Sequence, residues 1–293
     1  MDSMDTKNQF NYIVACDGSG DFTKIQQAID ASPSFPRDRI KIFVKDGIYT
    51  EKILIPEWNS KLTLIGESRD KTIITFDDHF NKMQRGRNST FFTPTLSING
   101  DECALHNLTI VNSAGDIGQA IALAVGGDGV SVENCTIIGN QDTLYATGKG
   151  AGQSYKNCHI EGTTDFIFGQ ASATFERCII HSKKDSYITA ASTAKEAENG
   201  FVFLNCDLTA GADVHNVYLG RPWRDFAKTI FIECVMGTHI NAEGWHNWFR
   251  PETEGTVFYA EYNSKGPGAN GEQRVPWSHQ LTKSQVQKYL NAD

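Results

Sequence analysis

The sequence predicts an all-β protein, a right-handed parallel β-helix with short capping helices at its ends, and three observations carry that prediction. The first is a recurring segment with a cysteine marker: Glu133-Asn134-Cys135-Thr136-Ile137, Lys156-Asn157-Cys158-His159-Ile160, Glu176-Arg177-Cys178-Ile179-Ile180, Leu204-Asn205-Cys206-Asp207-Leu208 and Ile232-Glu233-Cys234-Val235-Met236. His106-Asn107-Leu108-Thr109-Ile110 is the same segment with Leu in the cysteine place, and from Leu108 onward the marker recurs after 27, 23, 20, 28 and 28 residues. Repeats of that size specify a solenoid, in which each unit buries its apolar face only against its neighbours. The second observation is that every unit holds short alternating β-type runs broken by Gly, Asn and Asp, and none holds a helix-length periodic stretch. The third is 26 Gly against 8 Pro, which favours many turns over Pro-rich linkers. One chain turn per repeat, with strands stacked in parallel, is a parallel β-helix. The unequal intervals mean that loops of different length leave the coil, and such loops carry function on a rigid scaffold.

The chain reads as a single domain, 1–293, with an N-terminal cap at about 17–36 and a C-terminal tail and cap helix at about 270–293. Behind the turn Gly18-Ser19-Gly20, residues 21–29 place Phe22, Ile25, Ala28 and Ile29 on one helical face. Near the other end Thr282-x-x-Gln285 reads as a capping box opening a helix with Val286, Tyr289 and Leu290 on one side. Both caps answer the need of a solenoid to cover its exposed strand edges and core. The cysteine column between them reads as small apolar residues stacked inside the coil. Without a Cys-x-x-Cys pair no metal site is expected, and an odd count of seven cysteines implies no complete disulfide framework.

Composition narrows the function. The 27 Lys+Arg against 35 Asp+Glu give a net charge of −8, which argues against a nucleic-acid partner. With 40% hydrophobic and 21% charged residues the chain is folded rather than disordered. No apolar run approaches the ~18 residues of a membrane span, so no membrane partner is expected. The start, Met1 to Lys7, is acidic where a signal peptide is basic and then apolar. The nucleophile elbow, the zincin helix, the phosphate-binding loop and the dinucleotide fingerprint are all missing.

What the repeats offer is a pair of carboxylates. Asp142 follows Cys135 by seven residues and Asp165 follows Cys158 by seven, and parallel strands lie ~4.8 Å apart, so the two side chains fall together on one face. Like charges that close split their pKa values, which suits an acid and a nucleophile. Asp185 and Asp213 share the offset from Cys178 and Cys206, but Lys184-Asp185-Ser186 and Ala212-Asp213-Val214 read as solvated turns.

The flanks distinguish the first pair: Gln141-Asp142-Thr143-Leu144-Tyr145 and Gly162-Thr163-Thr164-Asp165-Phe166-Ile167-Phe168-Gly169 set each Asp among aromatics. With Gly118-Gln119-Ala120-Ile121-Ala122-Leu123 one turn earlier and Tyr218-Leu219-Gly220-Arg221-Pro222-Trp223 later, the sequence resembles the pectin methylesterases of the pectinesterase family. The likeness runs nearly end to end, from Asp17-Gly18-Ser19-Gly20-Asp21-Phe22 and Gly47-Ile48-Tyr49-x-Glu51 to residues 261–269, Glu-Tyr-Asn-Ser-Lys-Gly-Pro-Gly-Ala.

This resemblance implies a cofactor-free carboxylic ester hydrolase that de-esterifies pectin (homogalacturonan), releasing methanol and polygalacturonate. It implies Asp165 as nucleophile, Asp142 as general acid and then base, Gln119 and Gln141 as oxyanion donors, and Arg221 as the group that orients Asp165 and lowers its pKa. Trp223, Tyr145, Phe166, Phe168, Tyr218, Thr164 and Trp248 are the expected substrate contacts, aromatic faces stacking on sugar C–H faces. Trp245 reads as cleft rim or core filler. Residues 77–94, with His79, Lys82, Arg85 and Arg87, have no counterpart in the family pattern and read as a loop shaping the way in to the site. Lys183, Lys184, Arg221, Arg224 and Arg250 are candidates to collect at one end of the cleft and hold de-esterified sugars. An extracellular polymer as partner implies a secreted or periplasmic monomer whose signal lies outside this numbering. The rival readings are weaker: a polygalacturonase would carry Asn-Thr-Asp and Gly-His-Gly, a pectate lyase an acidic calcium cluster, and a non-catalytic carbohydrate-binding β-helix no tuned Asp pair with an Arg.

Overall fold

The computed structural model describes residues 9–148 and 150–290, so the two extremes of the expected 1–293 domain lie outside the described residues. The chain winds as a right-handed parallel β-helix whose three faces are sheets of eleven, eight and seven strands. All the paired strands run parallel, each with its equivalent in the next turn.

Each face contributes one inward column. On the eight-stranded face Ile74, Ile110, Ile137, Ile160, Ile180, Leu208 and Met236 follow one another in register. On the eleven-stranded face the column becomes aromatic, with ring centroids 4.7 Å apart for Tyr155 and Phe175, 4.5 Å for Phe175 and Phe203, and 4.4 Å for Phe203 and Phe231. These are offset-stacked contacts added to full burial. Trp245 belongs to the same interior, stacked on Tyr259 at 4.3 Å and 1% exposed, so it fills the core and forms no part of a cleft.

The marker segment has a conformational reason. The residue before each marker, Asn107, Asn134, Asn157, Arg177, Asn205 and Glu233, adopts a left-handed conformation with φ between 51° and 56°. It turns the chain from one sheet to the next, and Asn tolerates that region better than most residues. The following Cys135, Cys158, Cys178, Cys206 and Cys234 are buried and unbridged, their thiols directed at backbone carbonyls such as that of Glu133, 3.3 Å from Cys135 Sγ. The stack reads as packing, as its composition predicted.

The column Phe203, Phe231 continues in register to Glu261, where an acid replaces the aromatic. Arg274 answers it: Nε and Nη2 donate to the two carboxylate oxygens at 2.7 and 3.1 Å, and the guanidinium also donates to the carbonyls of Asn241, Ala242 and Gly268. A buried pair stripped of one member leaves an uncompensated charge. Arg274→Ala is therefore expected to cost about 3 kcal/mol of stability, read as a shift of the urea midpoint, whereas the double change Arg274→Met with Glu261→Leu should recover most of it.

The N-terminal helix begins later than the helical face read from Phe22 onward. It spans Ile25–Asp30 and buries Ile25, Ala28 and Ile29, while Phe22 lies outside it, bridged to Val14 and only partly buried. Glu51 accepts from the N–H groups of Ile25 and Gln26 at 2.9 and 3.2 Å, serving donors that a helix start leaves free. The Gln26 amide in turn pairs both backbone groups of Leu54, at 2.8 and 3.1 Å, and so blocks the open edge of the seven-stranded sheet. At the other end Gln285 Oε1 accepts from Thr282 N–H at 2.8 Å, the expected box, and the helix Lys283–Leu290 packs Val286 and Tyr289 along the flank over Val202, Ile230 and Ala260. Leu290 is left exposed.

Candidate active site

The site lies on the outer surface of the seven-stranded sheet. Outward residues of successive strands are in register there, with Ala124, Tyr145, Phe168 and Ala190 in line. Tyr145 and Phe168 stack at 4.6 Å, Phe91 meets Tyr145 at 5.3 Å, and Trp223 meets Phe168 at 5.8 Å, giving a continuous aromatic floor. A cavity of about 420 Å³ opens over this floor, lined by Gln119, Gln141, Asp142, Asp165, Arg221 and Trp223 among others. A wider concavity of about 620 Å³ lies elsewhere, around Thr209, Val235 and His239, and holds neither carboxylate of the pair.

Asp142 and Asp165 sit at equivalent corners of consecutive turns. Asp142 N–H donates to the Thr164 carbonyl at 3.1 Å and Asp165 N–H to the Tyr187 carbonyl at 2.8 Å. Both have left-handed backbones, φ 64° and 49°, so the corner lifts each carboxyl out of the strand toward the cavity. Strain of this kind survives only where its surroundings enforce it.

Arg221 binds Asp165 with two bonds, Nε to Oδ1 at 2.9 Å and Nη2 to Oδ2 at 2.7 Å. Its guanidinium is sandwiched between the rings of Tyr187, 3.9 Å from the centroid, and Trp248, 3.6 Å. Its place depends on Gly220, where a Cβ would lie 2.1 Å from Thr189 Oγ1, so the chain reaches Arg221 only by close approach. Arg250 fastens the same loop, donating to the Pro222 carbonyl and pairing with Asp225 at 3.1 Å.

Burial pushes Asp142 well above the usual carboxylate range, the charge of Asp165 adds to the rise, and Arg221 opposes it. Burial also raises Asp165, against the pull of Arg221. The expectation that Arg221 would bring Asp165 below its ordinary value thus fails, because desolvation outweighs the guanidinium. The ordering survives: Asp142, with no cation bound to it, keeps its proton to higher pH than Asp165. Gln119 and Gln141 occupy neighbouring turns, and neither side-chain amide has a partner among the described residues. An amide serving buried backbone would be bonded; these two are free to face a ligand.

The other expected contacts divide. Trp223, Phe168 and Trp248 line the cavity, and Tyr145 lies in its floor. Phe166 does not: it is fully buried in the main core. Alternation along one strand would set it on the same side as Phe168, but the corner at Asp165 breaks the alternation, and Phe166 turns inward over Gly162, where a Cβ would lie 2.3 Å from the Phe166 Cβ. Thr164 stands behind the pair, bonded to Ser186 at 2.8 Å, and Tyr218 bonds Glu243 at 3.1 Å; both lie outside the cavity lining. Asp185 is a turn residue as expected, accepting from His215 and Asn216 N–H.

Tyr187, which sequence reasoning missed, is the true successor of Asp165 in the stack. It follows Cys178 by nine residues rather than seven, because that turn is two residues longer, so counting from the cysteine landed on Asp185. The segment 77–94 forms a helix Phe80–Met83 and a 3₁₀ turn Gly86–Phe92 that brings Arg87, Asn88, Thr90 and Phe91 to the cavity. Lys52 anchors it, bonded to Asp78 at 2.7 Å and to the Phe92 carbonyl at 2.6 Å.

The family model described as Pectinesterase matches residues 11–292, nearly the whole chain. The chain belongs to the pectinesterase family. Pectinesterase 31 of Arabidopsis thaliana is 36% identical over 287 residues, covering 95% of this chain and 90% of that protein. The chain spans about half, 50%, of a longer Arabidopsis relative, "Probable pectinesterase/pectinesterase inhibitor 12", at 38% identity over 90% of its own length. Among solved structures, pectin methylesterase from carrot superposes with a TM-score of 0.88 at 32% identity, covering 94% of this chain and 89% of that one. A pectin methylesterase in complex with a hexasaccharide superposes at 0.82 with 29% identity, covering 96% and 95%. As a member of that family the chain is an enzyme, built on the parallel β-helix of its relatives. No described helix is long and apolar enough to cross a membrane.

Proposed function

We propose that this pectinesterase hydrolyses the methyl esters of homogalacturonan through a covalent intermediate on Asp165. An ionised Asp165 oxygen attacks the ester carbonyl carbon, and the oxyanion that forms accepts hydrogen bonds from the side-chain amides of Gln119 and Gln141. Asp142 gives its proton to the methoxy oxygen, methanol leaves, and an anhydride joins Asp165 to the sugar. Asp142, now a carboxylate, takes one proton from water as the remaining hydroxide adds to the sugar's carbonyl carbon; the bond to Asp165 breaks, releasing its carboxylate and a galacturonic acid that gives its proton to solvent. Arg221 holds Asp165 at a fixed angle throughout, and the floor of Tyr145, Phe168 and Trp223 receives the sugar faces.

The observation that carries this reading is the asymmetry of two adjacent carboxyls, one clamped bidentately by an arginine and the other buried without a cation bound to it, which pushes its pKa up. The test is methanol release from highly methylated pectin measured beside new reducing ends: methanol without chain cleavage supports the esterase, and cleavage without methanol overturns it. Gln119→Ala, which removes one oxyanion donor, is expected to lower kcat by about 10²-fold with KM little changed. We further propose a secreted or periplasmic monomer, because the polymer lies outside the cell and the N-terminal sheet edge is already occupied by Gln26; a gel-filtration mass of one chain is the expected result.

A further inference from the structure

His246 lies outside the cavity lining, yet it touches both rings that hold Arg221. Its Nδ1 accepts the backbone N–H of Trp248 at 2.9 Å, and its ring meets that of Tyr187 edge-on, with centroids 5.5 Å apart. Trp248 and Tyr187 are the two faces of the guanidinium sandwich. The imidazole is in turn set by the segment that carries Arg221. Its own backbone N–H donates to the carbonyl of Gly220 at 3.1 Å, and Tyr218 meets the ring edge-on at 5.4 Å.

The segment held by this bond needs holding. Trp248 and Phe249 are both left-handed, with φ 57° and 58°, a region that bulky residues enter only where their surroundings enforce it. Each is secured by an acceptor two residues earlier: Trp248 by His246, and Phe249 by Asn247 Oδ1 at 2.9 Å. Asn241 serves Glu243 in the same way at 2.7 Å. At Asn241 and Asn247 the acceptor is an amide oxygen, which accepts at every pH; beside Arg221 it is an imidazole nitrogen, which accepts only while it carries no proton. The bond therefore fixes the neutral ring with its hydrogen on Nε2. A proton on Nδ1 turns the acceptor into a donor that faces the Trp248 N–H. Burial and the charge of Arg221 hold His246 below the ordinary imidazole value, and Glu243 works the other way.

We propose that neutral His246 is a positioning residue for the reaction: it keeps Trp248 and Tyr187 against the Arg221 guanidinium, and its protonation frees Trp248 and slackens the clamp on Asp165. This rests on the reading of Asp165 as the nucleophile of a pectin esterase. His246 touches neither Asp165 nor the cavity, so it acts only through the two rings. A nucleophile whose angle is less firmly fixed reacts more slowly, and the effect falls on kcat.

The experiment measures kcat for methanol release from highly methylated pectin by the wild type, His246→Ala and His246→Asn. The Ala variant has no acceptor for the Trp248 N–H and should lose about tenfold at neutral pH, a fraction of what a displaced reacting group can cost. The Asn variant offers Oδ1 in place of Nδ1, as Asn247 does for Phe249, and should keep most of the neutral rate. The decisive readout is the ratio of the Asn to the wild-type rate as pH falls through the imidazole range. Protonation of Asp165 slows both proteins and cancels, so the ratio should climb about tenfold as wild-type His246 gains a proton that the amide cannot take. A ratio that stays flat overturns this role, and so does an Ala variant with the wild-type kcat at neutral pH; with methanol still released, either result leaves the esterase intact. Absence of methanol with the wild type would instead overturn the esterase reading, and this role with it.

Discussion

Asp165→Asn is expected to lower methanol release from highly methylated pectin by about 10⁴-fold or more, the scale on which removal of a nucleophile acts. The amide has the shape of the carboxylate and no anion to attack with. Arg221, stacked between Tyr187 and Trp248, would keep its place but lose its counter-charge, so some stability should be lost as well. Asp165→Glu separates the two effects, because it keeps the charge for Arg221 and moves the attacking oxygen by one methylene. Its stability should remain close to wild type while its rate stays low, since a reacting atom displaced by about 1 Å can cost 10²-fold. Wild-type methanol release by Asp165→Asn would remove Asp165 from the reaction.

The scaffold was legible because its repeat is written in two chemical constraints that act locally. A left-handed corner admits Asn more readily than most residues, and the position after it must be small and apolar, so Asn134-Cys135 and Asn157-Cys158 mark successive turns without any knowledge of distant contacts. Asp142 and Asp165 were legible through the same register. Where a loop length changed, counting failed: two extra residues moved the successor of Asp165 from Asp185 to Tyr187, and with it went the ring on which Arg221 rests. Phe166 was misplaced because alternation holds within a strand and not across the corner at Asp165. The direction of the Asp165 shift was misjudged because a motif shows the arginine but not the depth of burial against which it works. The segment 77–94 was read as a loop at the way in, and Arg87 and Phe91 do line the cavity, but which of its side chains enter is set by the coil and not by the local sequence.

Asp142→Asn is expected to lower kcat by about 10³-fold, within the range attributed to a positioned acid and base, and to alter the pH profile in a way that no structural aspartate would. In the proposed mechanism turnover requires Asp165 ionised and Asp142 protonated, so the rate should fall on the acid side as Asp165 gains its proton and on the alkaline side as Asp142 loses its own; the two limbs belong to the coupled pair. Asparagine has no proton to lose, and the alkaline limb assigned to Asp142 should vanish from the residual activity. Stability supplies an independent sign. The folded-state pKa of Asp142 is raised, so its contribution to wild-type stability is fully present below its unfolded pKa and is lost as pH rises through the folded value. The neutral amide of the Asp142→Asn variant incurs no such loss, and the melting temperature of the variant relative to wild type should climb with pH over that window. Raised pKa through burial beside a like charge is a cost that folding alone would not select, and a function needing a protonated carboxyl explains why it is kept. A variant that melts lower than wild type at every pH would make Asp142 a structural group and leave the departing methanol without its acid.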